Sequence, residues 1–359
     1  MKILHVETGK KLYGGAFQVV QIIKGLNSRG VENILVCDQQ SEISKACQGF
    51  CQVETLSISG DLDFAFAFRL KRIIDQEKPD LVHLHSRRGA DTFGAIASRW
   101  SKTPTVLSRR VDNPEARWVM RLKYALYDHV ITISQAIRTV LIAGGVEPDK
   151  ISCVHSTVDY QRYAQPGDAS CLPEQISPEK PIIAMLAQFI KRKGHHQLLD
   201  AIPAILEKHP DTQFLLCGKG ALEAEIAQRV ETMGLQNWVF LPGFIHSIEK
   251  ILPCFYALVH PAQMEGLGVS LLQASAAGVP IVGADRGGIP EVVRDKVNGF
   301  LIDPDQPEQI SDAVIRLLDR PNLRKQMGIN GQALVKKHFS VETMIAGNLD
   351  VYQRLLATK

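Results

Sequence analysis

The sequence predicts an α/β protein: two tandem Rossmann-like domains, each built on a doubly wound parallel sheet, facing a cleft. Three observations lead there. Short runs rich in β-branched residues alternate with helix-length segments along the chain, and one proline-rich, aperiodic stretch interrupts the alternation near its middle. The length, 359 residues with 45% hydrophobic content, suffices for two domains that each bury a core.

In the first half the strand candidates are KILHVE, NILVCD, DLVHLH, TVLS, HVITIS and ISCVH, separated by helices such as 16–29 and 64–76. Residues 164–181 carry four prolines and no periodicity, and read as a linker. Beyond it IIAMLAQ, QFLLCG, WVFLPG, ALVHP, PIVGAD and GFLID resume the pattern. The expected organisation is therefore a domain over 1–163, a linker over 164–181, a second domain over 182–340, and a final helix in 341–359 that packs back across the domain boundary. Open sheets of this kind bind ligands at the carboxyl ends of their strands, so chemistry is sought there.

Composition narrows the partners. The opening MKILHVET is too short for a signal-peptide core, and no apolar run approaches the ~20 residues of a membrane span. Seven cysteines without a CxxC pair suit a reducing, cytoplasmic setting. The net charge is only +3, but residues 86–123 net +6, which suits a phosphorylated or acidic partner or an anionic membrane surface. No nucleic-acid partner is expected, since no such motif accompanies the basic stretch.

Several chemistries lack their motifs. The first strand leads into TGKKLYGGAF, without the G-x-G-x-x-G of a dinucleotide site, and no G-x-x-x-x-G-K-[ST] phosphate loop is present. What remains suits an anionic ligand. Gly14 and Gly15 sit at the first strand-to-helix junction, where backbone amides can hold a phosphate. Arg192 and Lys193 lie in a loop just before a helix, where they can form charge-assisted hydrogen bonds to a diphosphate. His85 ends the strand DLVHLH, with His83 pointing the same way but deeper. Residues 264–278, MEGLGVSLLQASAAG, place Glu265 and two glycines ahead of a helix apolar on nearly all sides, with one amide, Gln273, inside it.

The segment 259–293, VHPAQMEGLGVSLLQASAAGVPIVGADRGGIPEVV, resembles the signature region of the GT-B fold, family 4 retaining glycosyltransferases, and especially the lipopolysaccharide-core and cell-envelope enzymes among them. The likeness extends over nearly the whole chain through GGAFQVV, PDLVHLH, HVITISQAIRTVL, CGKG, LPGF and NGFLIDP. It implies sugar transfer from a UDP-, GDP- or ADP-linked donor to a glycan or glycolipid acceptor, without a metal or other cofactor. By that likeness Glu265 holds donor-sugar hydroxyls, and the backbone of Gly266, Leu267, Gly268 and Val269 lines the sugar and diphosphate. Arg192 and Lys193 meet the diphosphate with Gly14, Gly15 and Gly218; Phe244 and Ile245 meet the base; and His85 lies near the reacting centre.

The sequence departs from the family pattern in three places, one of them HSTVD at 155–159, where P-N-G-V-D is common and only Asp159 with its preceding valine matches. Gln273 stands where a glutamate usually binds the ribose diol, and Gln188 stands where many members carry an arginine. An epimerase, a phosphorylase and a non-catalytic sugar-nucleotide-binding protein are the competing readings.

The acceptor side is read from the basic stretch. Arg87, Arg88, Arg109 and Arg110 follow strand ends and are expected to meet an acidic acceptor. A helix capped by Asn113 with Pro114 at its first position is expected to bury Trp118, Val119, Leu122, Ala125 and Leu126. It would then show Arg117, Met120, Arg121, Lys123, Tyr124 and Tyr127 to a membrane, making the protein cytoplasmic and peripheral on the inner membrane.

Overall fold

The computed structural model describes residues 1–12, 14–60, 62–85, 89–113 and 115–357. The chain packs as two units, residues 1–157 with 341–359, and residues 158–340.

Among the described residues the first unit carries seven strands: β1 (Lys2–Glu7), β2 (Glu32–Asp38), β3 (Gln52–Leu56), β4 (Leu81–Leu84), β5 (Thr105–Arg109), β6 (His129–Thr132) and β7 (Ile151–Cys153). They form one parallel sheet in the order β3-β2-β1-β4-β5-β6-β7. The strands are short apolar runs because helices cover both faces, so alternation is lost and nearly every position is buried. β3 is the exception. QVETL sits at the sheet edge, half exposed, and lacks the apolar run by which its neighbours were read.

Helices Gly14–Asn27 and Val341–Ala357 pack together in this unit, with Ile22, Leu26, Met344, Ile345, Val351 and Tyr352 in one cluster with Ile3 and Leu81. Their approach needs a glycine: a Cβ at Gly25 would lie 1.8 Å from Ile345 Cδ1. The last helix thus belongs to the same core as the first.

The second unit holds β8 (Ile182–Leu186), β9 (Gln213–Cys217), β10 (Val239–Gly243), β11 (Ala257–His260), β12 (Ile281–Ala284) and β13 (Gly299–Ile302) in a parallel sheet ordered β10-β9-β8-β11-β12-β13. Both orders reverse direction once, between β1 and β4 and between β8 and β11. Those reversals open the crevices in which such sheets take ligands.

Residues 164–181 are not a free linker. Asp168 N–H donates to the Lys250 carbonyl at 2.7 Å, Ser177 and Gln213 exchange two hydrogen bonds, and Leu172 and Ile176 are buried. Beyond one 3₁₀ turn, Ala169–Cys171, capped by Asp168, the prolines keep helix and strand out of the stretch, but packing still orders it. No helix of the described residues is long and apolar enough to cross a membrane.

The helix expected after Asn113 differs in start and in orientation. It runs Arg117–Tyr124, and Pro114 lies outside the described residues. Its buried residues are Met120 and Tyr124, with Tyr127 buried just beyond, whereas Trp118 is 70% and Leu122 67% exposed. Arg117 and Arg121 are exposed as expected, but the apolar pair Trp118 and Leu122 has exchanged places with Met120, Tyr124 and Tyr127. The cause is a slot at Gly144, where a Cβ would lie 2.2 Å from Met120 Sδ; only that side of the helix finds a partner it can approach closely.

Candidate active site

In the second unit the site grows from the reversal between β8 and β11. β11 ends at His260, whose ring is buried, and the chain then turns through Pro261–Gly268 into the helix Val269–Ala276. Glu265 lies in that turn. Its Oε2 accepts from His260 Nε2 at 2.9 Å and from Lys193 Nζ at 2.5 Å, while Oε1 accepts the Gly266 N–H at 3.1 Å. A carboxylate only accepts, so His260 carries its hydrogen on Nε2. Burial alone would raise the Glu265 pKa; the His260 hydrogen bond and charge, with those of Lys193, outweigh it and hold the group ionised far below the usual carboxylate range.

Lys193 arrives from the turn after β8. Residues Lys191–Lys193 form one 3₁₀ turn, Gly194 adopts a left-handed conformation, and the helix His195–Lys208 follows. Gly194 is obligatory there, for a Cβ would lie 2.1 Å from the Pro261 carbonyl oxygen, which is how the two site loops come into contact. Arg192 Nη1 donates to the Met264 carbonyl at 3.0 Å, and the Gln263 N–H donates to the Arg192 carbonyl at 2.9 Å. The sequence-predicted trio Arg192, Lys193 and Glu265 is brought together.

The helix Val269–Ala276 buries Leu271, Leu272, Ala274, Ser275 and Ala276, as its composition required. Leu267 is fully buried, and Gly268 opens the helix at φ +88°. Gln273, one face round from these, donates Nε2–H to the Tyr163 hydroxyl at 2.8 Å. Burial raises the Tyr163 pKa, so it stays a phenol. Gln188 is exposed after β8.

Two other expectations divide. Phe244 is 52% exposed and meets His246 edge-on at 5.0 Å, an aromatic edge open to a planar ligand, with Ile245 half-buried between them. Gly218, by contrast, is explained by packing. Its N–H donates to the Gly243 carbonyl, and a Cβ would lie 1.9 Å from the Ala187 carbonyl oxygen.

In the first unit the reversal between β1 and β4 gathers three imidazoles. His5 and His83 are register partners, and His85 follows two residues on, so all three rings share one side of the sheet. The His83 and His85 rings lie 3.8 Å apart, and His5 stacks on His85 at 5.3 Å. His83 is bound by the Tyr352 hydroxyl at 2.6 Å and Ser108 Oγ at 2.8 Å. Burial, then neighbouring positive character, drives the His83 and His85 pKa values well below the ordinary range, and burial takes His5 to about 4. Nitrogens of the three rings fall within 4.8 Å of one another. His83 and His5 already spend both ring nitrogens on hydrogen bonds, and a guanidinium adjoins His85, so the donor set suits hydrogen bonding rather than a cation.

Gly14 and Gly15 open the helix after β1, and a Cβ on Gly15 would contact Arg110 Cδ. Arg110 lies against His85. Arg109 is not available as expected: it is buried, paired with Glu115 at 3.5 Å, and donates to the Asn113 carbonyl at 2.8 Å. Arg87 and Arg88 lie outside the described residues. His260, Tyr163, His5 and Asn33 were missed in the sequence, although His260 ends a strand as His85 nearly does.

Two family models divide the chain between them: "Glycosyltransferase Family 4" matches residues 13–162 and "Glycosyl transferases group 1" matches 173–334. A GDP-mannose-dependent monoacylated α-(1-6)-phosphatidylinositol monomannoside mannosyltransferase of Corynebacterium glutamicum is 33% identical over 202 residues, 53% of this chain and 52% of the relative, so the match spans about half the relative's length. A UDP-Gal:α-D-GlcNAc-diphosphoundecaprenol α-1,3-galactosyltransferase of Escherichia coli is 24% identical over 94% of both chains. Among solved structures, Anabaena HepE in complex with UDP superposes with a TM-score of 0.86 at 22% identity, covering 99% of this chain and 100% of its own. Sequence models over both halves and a shared fold agree: the chain belongs to the GT-B fold, family 4 glycosyltransferases.

Proposed function

We propose that this protein transfers a glycosyl group from a nucleotide-sugar donor, bound by the second unit, to a glycan or glycolipid acceptor bound by the first. The observation that carries the reading is the Lys193–Glu265–His260 constellation at the head of the Val269–Ala276 helix. An ionised carboxylate held by three donors, His260, Lys193 and the Gly266 N–H, can still accept a sugar hydroxyl on its remaining lone pair. Arg192, Lys193 and the helix N-terminus offer positive character to a diphosphate as charge develops on it. These groups supply the compensation, and the reading invokes no metal. In the retaining reaction the anomeric C–O bond to the diphosphate breaks. The acceptor oxygen bonds to the same face, and its proton passes to the departing phosphate.

Names of relatives support a UDP- or GDP-linked donor and a lipid-linked acceptor. Thermal stabilisation by UDP, GDP, ADP and their sugars tests the donor half. Ligand at about 100 times its dissociation constant adds ~2.7 kcal/mol, and no shift with any of them removes the donor site.

The acceptor half rests on the helix Arg117–Tyr124. Trp118 and Leu122 project one turn apart, flanked by exposed Arg117 and Arg121 beside a groove lined by Gly144 and Gly145. Apolar anchors ringed by arginines suit the surface of an anionic bilayer, on which a lipid-linked acceptor sits. Flotation with anionic vesicles should show salt-sensitive binding that Trp118→Ser with Leu122→Ser, or Arg117→Glu with Arg121→Glu, abolishes. Equal binding to neutral vesicles would overturn the surface.

A further inference from the structure

The buried imidazoles form a chain whose hydrogen positions can be derived one by one. Asn33 Nδ2 lies 2.7 Å from the Val31 carbonyl, which only accepts, so the amide nitrogen faces Val31 and Oδ1 faces His5. His5 Nε2, 3.1 Å from that oxygen, must carry a hydrogen. A neutral imidazole has one, so His5 Nδ1 is a lone pair. His85 Nε2 lies 3.0 Å from it and must donate. His85 Nδ1 is then a lone pair as well, and it faces Arg110 Nη2, which only donates, at 3.5 Å. Every link from Val31 to Arg110 has one donor and one acceptor.

We propose that His5 and Asn33 are positioning residues that lock His85 in its Nε2–H tautomer, so that Nδ1 stays a neutral acceptor, held in this structure by the long Arg110 contact, which a substrate hydroxyl would replace. The proposal rests on the reading of His85 as a substrate contact. The chain is a lock and not a proton wire, because it ends on an amide oxygen that cannot keep a proton. If His85 Nδ1 were protonated, the positive charge would stay among buried rings beside a guanidinium. Among the described residues, His5 on β1, His83 on β4 and Arg110 after β5 act on His85, and Arg110 in turn faces Glu7 on β1 and Tyr352 on the last helix; of these only Glu7 is acidic. Burial lowers the pKa of each imidazole, in agreement with a neutral chain.

The test joins a spectroscopic readout to a pH profile. In ¹⁵N-histidine-labelled protein, long-range ¹⁵N–¹H spectra at pH 7 should give His5 and His85 as neutral Nε2–H tautomers, and an Nδ1–H pattern at His85 would overturn the lock. Asn33→Leu, which deletes the terminal acceptor, should mix the His85 tautomers and lower kcat about tenfold while leaving nucleotide affinity unchanged. Unmixed tautomers in that variant would also overturn it. Asn33→Asp keeps the acceptor but ends the chain on a carboxylate, which favours the imidazolium. It should restore most of kcat at pH 8 and move the acid loss of activity up by about one pH unit. A profile superposing on the parent's would overturn the positioning role. His85→Ala with parental kcat would instead remove His85 from the substrate, leaving the tautomer result to stand by itself.

Discussion

The two units share the order of six strands, with β7 added at the edge of the first, and each has a crevice at its reversal, yet they fill those crevices oppositely. The first packs neutral rings, His5, His83 and His85, whose hydrogen bonds are all between uncharged groups until Arg110. The second packs a charge pair, Lys193 with Glu265, steadied by His260. The difference teaches what burial permits. Neutral imidazoles can be fully enclosed at little cost provided their hydrogens are assigned without conflict, whereas a buried carboxylate needs donors on both oxygens. A diphosphate bound near the second set meets cations; a hydroxyl near the first meets an acceptor nitrogen.

Breaking the charged side should have the largest effect. Glu265→Ala leaves the Lys193 ammonium, whose side chain is 10% exposed, without its counter-charge. We expect a stability loss of about 3 kcal/mol by chemical denaturation, and at least a hundredfold fall in kcat/KM as ~3 kcal/mol of transition-state contact goes. Lys193→Ala should cost less stability, because His260 still holds the carboxylate, but should lower turnover more than tenfold. The double variant Lys193→Met, Glu265→Leu separates the two roles: most of the stability returns, short of the cost of leaving the buried His260 and Gly266 N–H groups without an acceptor, while turnover does not. Near-parental kcat/KM in either single variant would take that residue out of the site.

How much of this contrast could be read from the sequence depended on the kind of signal. Twelve of the strands announce themselves as apolar runs, because parallel strands covered on both faces have no polar side; β3 at the edge does not. Glu265 and Lys193 were legible because a charge beside glycine or beside a helix start is conspicuous. His260 was hidden in ALVHP as an ordinary strand ending, and Tyr163 in a stretch read as the end of the first domain, although its hydroxyl takes the Gln273 amide. The helix at Arg117 shows the limit of periodicity. Two stripes, Trp118 with Leu122 and Met120 with Tyr124, fit the same helical spacing, and a glycine distant in sequence, Gly144, decided which was buried. Tyrosine and methionine read as surface-tolerant residues, so the wrong stripe won.

A middle-sized effect sharpens the comparison at Gln273. Its amide nitrogen is committed to Tyr163, which leaves the carbonyl oxygen to accept from a ribose hydroxyl. Gln273→Ala should weaken nucleotide binding by about tenfold, ~1–1.5 kcal/mol, as measured by titration calorimetry. Gln273→Glu should retain activity, since Tyr163 can turn its hydroxyl hydrogen toward a carboxylate. Tyr163→Phe should cost a few-fold, through loss of orientation only. Unchanged affinity in Gln273→Ala would show that the ribose is held elsewhere.

At neutral pH the smallest effect concerns His195, which carries the first unit's device into the second without its hydrogen bonds. The ring is 2% exposed and stacks on Phe189 at 4.4 Å; among the described residues neither nitrogen has a hydrogen-bond partner. Burial first, then His260, His196 and Lys193, lowers its pKa to about 4. The unfolded chain titrates near the ordinary value of about 6.5, so between those values it binds more protons than the folded one. The ring's contribution to stability is therefore intact above that window and is lost as pH falls through it. Replacing it by His195→Phe keeps a ring against Phe189 and removes both the unmet nitrogens and the titration. The variant should match or exceed the parent by up to about 1 kcal/mol at pH 7, and the gap should widen by about 2 kcal/mol at pH 5. Urea unfolding at the two pH values measures both quantities. Parallel losses in parent and variant would mean that the His195 ring is protonated alike in the folded and unfolded chains, and that its burial costs nothing on acidification.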